Sequence, residues 1–121
     1  MKVLIADTFD ENVLKTISEL AGVRVFYEPN LNLINLKIAI KEKKPDVLIV
    51  KQTKVTAESI EASDSLRLVI QYGEDLKVVD TEICSQKGIF VATCKGKSIH
   101  AVAELTIGLI IAVNRRILDG V

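Results

Sequence analysis

The chain has 121 residues, 49% of them hydrophobic and 26% charged, which is the composition of one soluble globular domain with enough chain for a core. Its 16 basic and 16 acidic residues cancel, and the pI of about 6.6 carries no nucleic-acid footprint. With no Trp and few other aromatics, a stacking platform for bases or flavin is also disfavoured.

Lys2 to Asp7 (KVLIAD) is a short apolar run, the mark of a strand buried on both faces. It reaches an aspartate after four apolar residues and so does not read as a signal peptide. Thr8 and Glu11 have capping-box spacing and open a helix through Leu20, with Val13, Leu14, Ile17 and Leu20 on one face. Gly22 ends it, and Val23 to Tyr27 is a second strand. After the Pro29-Asn30 loop, Leu33 to Lys43 reads as a helix with Ile34 and Ile38 inward and Leu36 beside them. Lys41, Lys43 and Lys44 sit at its C-terminal end, where the dipole favours cations, and Pro45 stops it. Asp46 to Lys51 (DVLIVK) is the third strand. Thr56 caps a short helix through Ala62, Arg67 to Tyr72 (RLVIQY) is the fourth strand, and Asp80 caps a helix through Gln86. Gly88 turns the chain into the fifth strand, Ile89 to Ala92.

The last stretch, Ser98 to Leu118, reads as a long helix with Ser98 as N-cap, Arg115 and Arg116 in its last turns and Gly120 beyond its end. Its densest apolar run is broken by Glu104, and it is too short to span a bilayer. Its apolar residues surround it more fully than one stripe requires. Val102, Leu105, Leu109 and Ala112 are expected to cover the sheet. Ile107, Ile110, Ile111 and Leu118 are expected to face outward, as a patch of the kind that marks an interface. A homodimer with twofold symmetry through this helix follows as an expectation, with or without exchange of the helices between protomers.

Five strands alternating with helices over short links mean a parallel sheet covered on both faces. The expected architecture is a flavodoxin-like α/β three-layer sandwich, one domain over 1–121, with strand order 2-1-3-4-5. Val3, Ile5, Leu48, Val50, Leu68, Ile70 and Ile89 are expected in its core. Ligands in such sheets bind beyond the carboxyl ends of the strands, near the switch point. Asp7, Thr8 and Phe9 follow the first strand there, and Lys51, Gln52 and Thr53 the third. Tyr72, Gly73, Glu74 and Asp75 follow the fourth, and Thr93, Cys94, Lys95 and Gly96 the fifth. Lys51 can attract a carboxylate or phosphate, while Gly73 and Gly96 permit close backbone approach or a positive φ. The bland alternative is that these are solvated loop ends.

Several chemistries lack their residues. No GxGxxG or Walker motif follows any strand, so no cofactor-binding residue is assigned. Cys84 and Cys94 have no metal-ligand spacing and read as two reduced cytosolic thiols. His100 is the only histidine and has no triad partner at readable spacing, so no catalytic or metal-binding residue is assigned either. A receiver domain needs an aspartate where Lys51 and Gln52 stand. A flavodoxin needs a Ser/Thr-rich phosphate loop where the chain has Thr8-Phe9-Asp10-Glu11.

The run LIVKQTKVTAESIEASDSLRLVIQYG, then VVDTEICSQKGIFVATCKGKSIHAVAELTIGLIIAVNRRI, resembles the amino-terminal part of the D-isomer-specific 2-hydroxyacid dehydrogenases, with the D-3-phosphoglycerate dehydrogenase and glyoxylate or hydroxypyruvate reductase branch nearest. The resemblance runs over essentially the whole chain. It implies a substrate-binding domain whose AVAEL helix leads into a nucleotide-binding domain and packs at a dimer interface. It also implies that the GxGxxG unit for NAD and the catalytic Arg, Glu and His lie beyond residue 121, so that the chain on its own is expected not to transfer hydride. The substrate implied is a small 2-hydroxy or 2-oxo acid such as 3-phosphoglycerate or glycerate, at Lys51, Gln52, Tyr72, Gly73, Glu74 and Asp75. Where the family places Arg-Ser, this chain has Lys51-Gln52, and lysine lacks the bidentate fork. The family's second loop glycine is Asp75, its Asp-Asn pair is Lys77-Val78, and its Asn-Thr-Pro-Gly is Thr93-Cys94-Lys95-Gly96. The alternative reading is a stand-alone, non-enzymatic flavodoxin-like binding or regulatory module. Neither reading involves nucleic acid or a membrane, and both place the protein in the cytoplasm.

Overall fold

The structure is a computed structural model. It describes the chain except residues 21, 30, 32, 74–77, 95–103, 105–106, 113–114 and 116–121, and except the side chains of 33, 34 and 94. Nine elements alternate: β1 (Lys2–Ile5), α1 (Glu11–Ser18), β2 (Arg24–Tyr27), α2 (Leu33–Lys43), β3 (Val47–Val50), α3 (Ala57–Glu61), β4 (Leu68–Tyr72), α4 (Thr81–Gln86) and β5 (Phe90–Cys94). Residues 107–112 are helical as well. The five strands form one sheet in the order β2-β1-β3-β4-β5, and every pairing is parallel.

The strands are short and apolar because both faces of the sheet are covered. Alternate residues divide between two cores. Leu4, Leu48, Val50 and Val69 pack with Leu36, Ala39 and Ile40 of α2, Ile60 of α3 and Cys84 of α4. Val3, Ile5, Val47, Ile49, Leu68 and Ile70 pack with Val13 and Ile17 of α1 and with Ile110. All seven residues expected in the core are buried.

Helix ends follow local chemistry, with one correction. Thr56 caps α3 through its side chain, and Asp80 caps α4. The cap of α1 is Asp10, whose Oδ1 accepts from the Asn12 amide at 2.8 Å. Thr8 is not the cap, because the extended backbone that starts the helix falls at Asp10, two residues later. After α4, the amide of Ile89 donates to the Cys84 carbonyl at 2.8 Å and that of Gly88 to Ser85 at 3.2 Å. This is a Schellman closure, and Gly88 takes the positive φ of 71° that it needs.

Two helix faces differ from expectation. On α2, Leu36, Ala39 and Ile40 are buried, while Ile38 is 46% exposed. The rotation of the helix puts the 36/39/40 face on the sheet and α3, and Ile38 on the outer side. In the last helix Ile110 is 2% exposed and Ile111 is 51% exposed, with Leu109 packed against the same core as Ile110 and Ala112 exposed. Ile110 therefore belongs to the domain's own core rather than to an outer face, and Ala112 does not cover the sheet. Ile107 is partly buried. The side chains of Val102, Leu105 and Leu118 lie outside the described residues.

Lys44 ends α2 with φ of 48°, a left-handed conformation that costs an L-residue about 1–2 kcal/mol. Glycine removes that cost but adds about 0.4–1 kcal/mol of unfolded-state entropy. Lys44→Gly is therefore expected to raise stability by about 0.5–1 kcal/mol, read as a shifted urea midpoint at unchanged slope.

Candidate functional site

All five strands run the same way, so their carboxyl ends gather on one edge. There the segment after β1 meets the segment after β3. Oδ2 of Asp7 accepts three consecutive backbone amides, Lys51 at 2.6 Å, Gln52 at 3.0 Å and Thr53 at 3.0 Å. Its Oδ1 accepts the Thr53 hydroxyl at 2.8 Å. A run of N–H groups converging on one anion is a backbone nest, and here the chain supplies the anion itself.

Held at its backbone, Lys51 sends its side chain across the switch point. Its Nζ lies 5.7 Å from the centre of the Phe9 ring and 5.5 Å from that of Tyr72. The two rings are 6.0 Å apart at 52°. Nζ also approaches the Thr8 carbonyl at 3.5 Å, long for a hydrogen bond. The ammonium is thus placed by ring faces, each worth about 0.5–1 kcal/mol at an exposed site, and no carboxylate neutralises it among the described residues. Among the described residues it has no anionic partner, which suits it to an incoming anion.

Beside it opens a cleft of about 480 Å³ lined by Lys51, Gln52, Lys54, Gln71, Tyr72, Gly73 and Val78. Its two sides are tied together. Val55 and Val79 form a parallel bridge, with the Val55 amide donating to the Val78 carbonyl at 2.7 Å and the Asp80 amide to the Val55 carbonyl at 2.9 Å. Gly73 has φ of 131° with open space where a Cβ would stand, so the chain passes the cleft with its backbone bare.

The structure brings together four of the six sequence-derived site residues: Lys51, Gln52, Tyr72 and Gly73. Glu74 and Asp75 lie outside the described residues, as do Lys95, Gly96 and His100. Three lining residues were missed. Lys54 lies within the TKVT run and Val78 where the family has its Asp-Asn pair, but neither residue type by itself points to a ligand. Gln71 had a signal, a lone polar residue inside an otherwise apolar strand, and it is fully buried. Asp7 and Phe9 were placed at this edge, but not their roles.

Among the described residues, other chemistries find no footing at this edge. Cys84 is a buried free thiol, and burial, with the Asp80 charge, pushes its pKa up to about 11. It is not a nucleophile at neutral pH. No group of three His, Cys, Asp or Glu able to hold a metal occurs among the described residues. No helix among them is long and apolar enough to cross a membrane. The described residues do not fit a dinucleotide. The turn after β1 holds Asp7 and Asp10, and their carboxylates occupy the backbone amides at 51–53 and at the start of α1, where a pyrophosphate would need them free.

Fold and edge together define a flavodoxin-like domain with a crevice at the carboxyl ends of β3 and β4 that carries Lys51 and Lys54. Residues 3–116 match the family profile of the D-isomer specific 2-hydroxyacid dehydrogenase, catalytic domain, and the chain belongs to that family. It is 34% identical over 118 residues to a D-3-phosphoglycerate dehydrogenase of Methanocaldococcus jannaschii, covering 97% of this chain and 22% of that one. Among solved structures it is similar to an NAD⁺-bound 3-phosphoglycerate dehydrogenase of Entamoeba histolytica, at 31% identity and a TM-score of 0.71, covering 92% of this chain and 38% of that one. It is similar also to a protein of Thermus thermophilus, at 28% identity and a TM-score of 0.70, covering 99% and 39%. The chain therefore spans about a fifth of the archaeal relative and under two fifths of either structure.

Proposed function

We propose that this chain is the substrate-binding part of an NAD-dependent D-2-hydroxyacid dehydrogenase, and that its cleft takes the carboxylate of a small 2-hydroxy or 2-oxo acid of the 3-phosphoglycerate or glycerate kind. The carrying observation is the Lys51 ammonium, held against Phe9 and Tyr72 at the cleft without a carboxylate partner among the described residues. Lysine offers one point charge where an arginine would grip both carboxylate oxygens. The bare backbone at Gly73 gives the acid room to come close. Hydride transfer requires a nicotinamide and a positioned acid–base group. In this reading both come from sequence outside these residues, and the full enzyme works in the cytoplasm.

Calorimetric titration of the chain with glyoxylate, hydroxypyruvate and phosphohydroxypyruvate tests the site. Lys51→Ala is expected to weaken binding about 10- to 150-fold, the equivalent of the 1.5–3 kcal/mol of a hydrogen bond to a charged group. No binding by the wild-type chain, or an unchanged affinity in the variant, would overturn the assignment.

A proposal on assembly rests on a different observation. Ile111 is a large aliphatic 51% exposed on a helix where Gly108 and Ala112 are exposed too, leaving little between this backbone and a neighbour. A twofold dimer across this face would bury Ile111, with Ile107 at its margin. Ile110, buried in its own domain, takes no part.

A further inference from the structure

A nest of three successive amides at the switch point of an α/β sheet is where such folds hold the anionic part of a ligand. In this protein the nest is already filled. Asp7 Oδ2 takes the amides of Lys51, Gln52 and Thr53, and Oδ1 takes the Thr53 hydroxyl, so four donors converge on one side chain. Two consequences follow. An external anion is turned away from the filled nest, and among the described residues the β3–β4 cleft beside it offers the room instead. The backbone direction at Lys51 is also set by these contacts, and that direction carries the ammonium over Phe9 and Tyr72 at the exposed mouth of the cleft.

We infer that Asp7 is the positioning residue of the cleft: an internal carboxylate that fills the 51–53 nest and thereby holds Lys51 against the two rings, ready for the ligand's anionic group. Asp7 touches no ligand in this arrangement and acts through Lys51. The ligand side of the inference rests on the function proposed above. The positioning side does not, and each has its own readout.

In nuclear magnetic resonance of the free protein, the ring faces of Phe9 and Tyr72 shift the Lys51 Hε resonances upfield, and the three nest amides exchange slowly with solvent. Asp7→Ala is expected to abolish both effects while resonances of Leu68 to Ile70 in β4 and of β5 stay in place. Asp7→Asn keeps one oxygen for the amides and is expected to retain the ring-current shift. Sodium formate, a free carboxylate small enough for the vacated space, is expected to restore it in Asp7→Ala. In titration with hydroxypyruvate, Asp7→Ala is expected to bind at least about 10-fold more weakly, the loss when a charged hydrogen-bonding group is misplaced. Retention of the Lys51 shift and slow amide exchange in Asp7→Ala would overturn the positioning role, and undiminished hydroxypyruvate affinity in Asp7→Ala, where the wild type binds, would overturn the ligand side of the inference. Unfolding of Asp7→Ala passes the decision to Asp7→Asn, where a lost shift in a folded protein overturns the role and a retained shift supports it. Loss of the shift in Asp7→Ala, together with no hydroxypyruvate binding by the wild type, would uphold the positioning role and overturn the function proposed above.

Discussion

Ile110→Asp is expected to leave the protein unfolded or insoluble, whereas Ile111→Asp, one residue on, is expected to leave it folded. Ile110 is 2% exposed within a core that includes Val3, Ile5, Val13, Ile17, Ile49 and Ile70. Truncating such a side chain costs about 2–5 kcal/mol, and a buried carboxylate without a partner adds several more. That sum approaches the whole stability of a domain, about 5–15 kcal/mol. Ile111, half exposed, contributes little to its own domain, so its replacement should change monomer stability by no more than about 0.5 kcal/mol. Circular dichroism separates the two variants. Sedimentation then reads the assembly proposal: wild type as a dimer at micromolar concentration, Ile111→Asp as a monomer. A wild-type monomer would overturn the dimer, and a stable Ile110→Asp protein would show that the last helix does not seal this core.

On the opposite face of the sheet, Leu36→Ala is expected to cost about 3–4 kcal/mol and Ile38→Ala less than about 0.5 kcal/mol. Leu36 is wholly buried with Ile40, Leu48 and Ile60, so its loss leaves a cavity as well as removing apolar contact. Ile38 is nearly half exposed and leaves no cavity. Urea unfolding of the two variants gives the difference directly. Equal costs would mean that α2 is rotated from the orientation described.

These pairs mark the boundary of what could be read from the chain alone. Apolar runs of four or five residues, separated by capping residues, glycines and a proline, specify strands buried on both faces and helices between them. Right-handed crossover connections then leave few topologies, which is why strand order and the buried strand residues were legible. The placement of Lys51, Gln52, Tyr72 and Gly73 at one edge followed from the same logic, since parallel strands put all their carboxyl ends together. Helix rotation was not legible on α2 or on the last helix. Leu36 and Ile38, like Ile110 and Ile111, are chemically near-equivalent, and where apolar residues do not keep to one stripe of the helix only the surface it meets decides which side is covered. The cap of α1 was misplaced because Thr8 and Asp10 are both good capping residues, and the backbone turn selects between them.

Sequence alone determined the sheet, its order and which strand ends gather at one edge, because those depend on patterns repeated along the chain. Tertiary structure alone decided the role of Asp7. Its partners are amides 44 to 46 positions away, and a backbone N–H has no signature in the sequence, being the same at nearly every residue. Only the parallel pairing of β1 with β3 brings those amides to that carboxylate, and with them the ammonium of Lys51 to the faces of Phe9 and Tyr72.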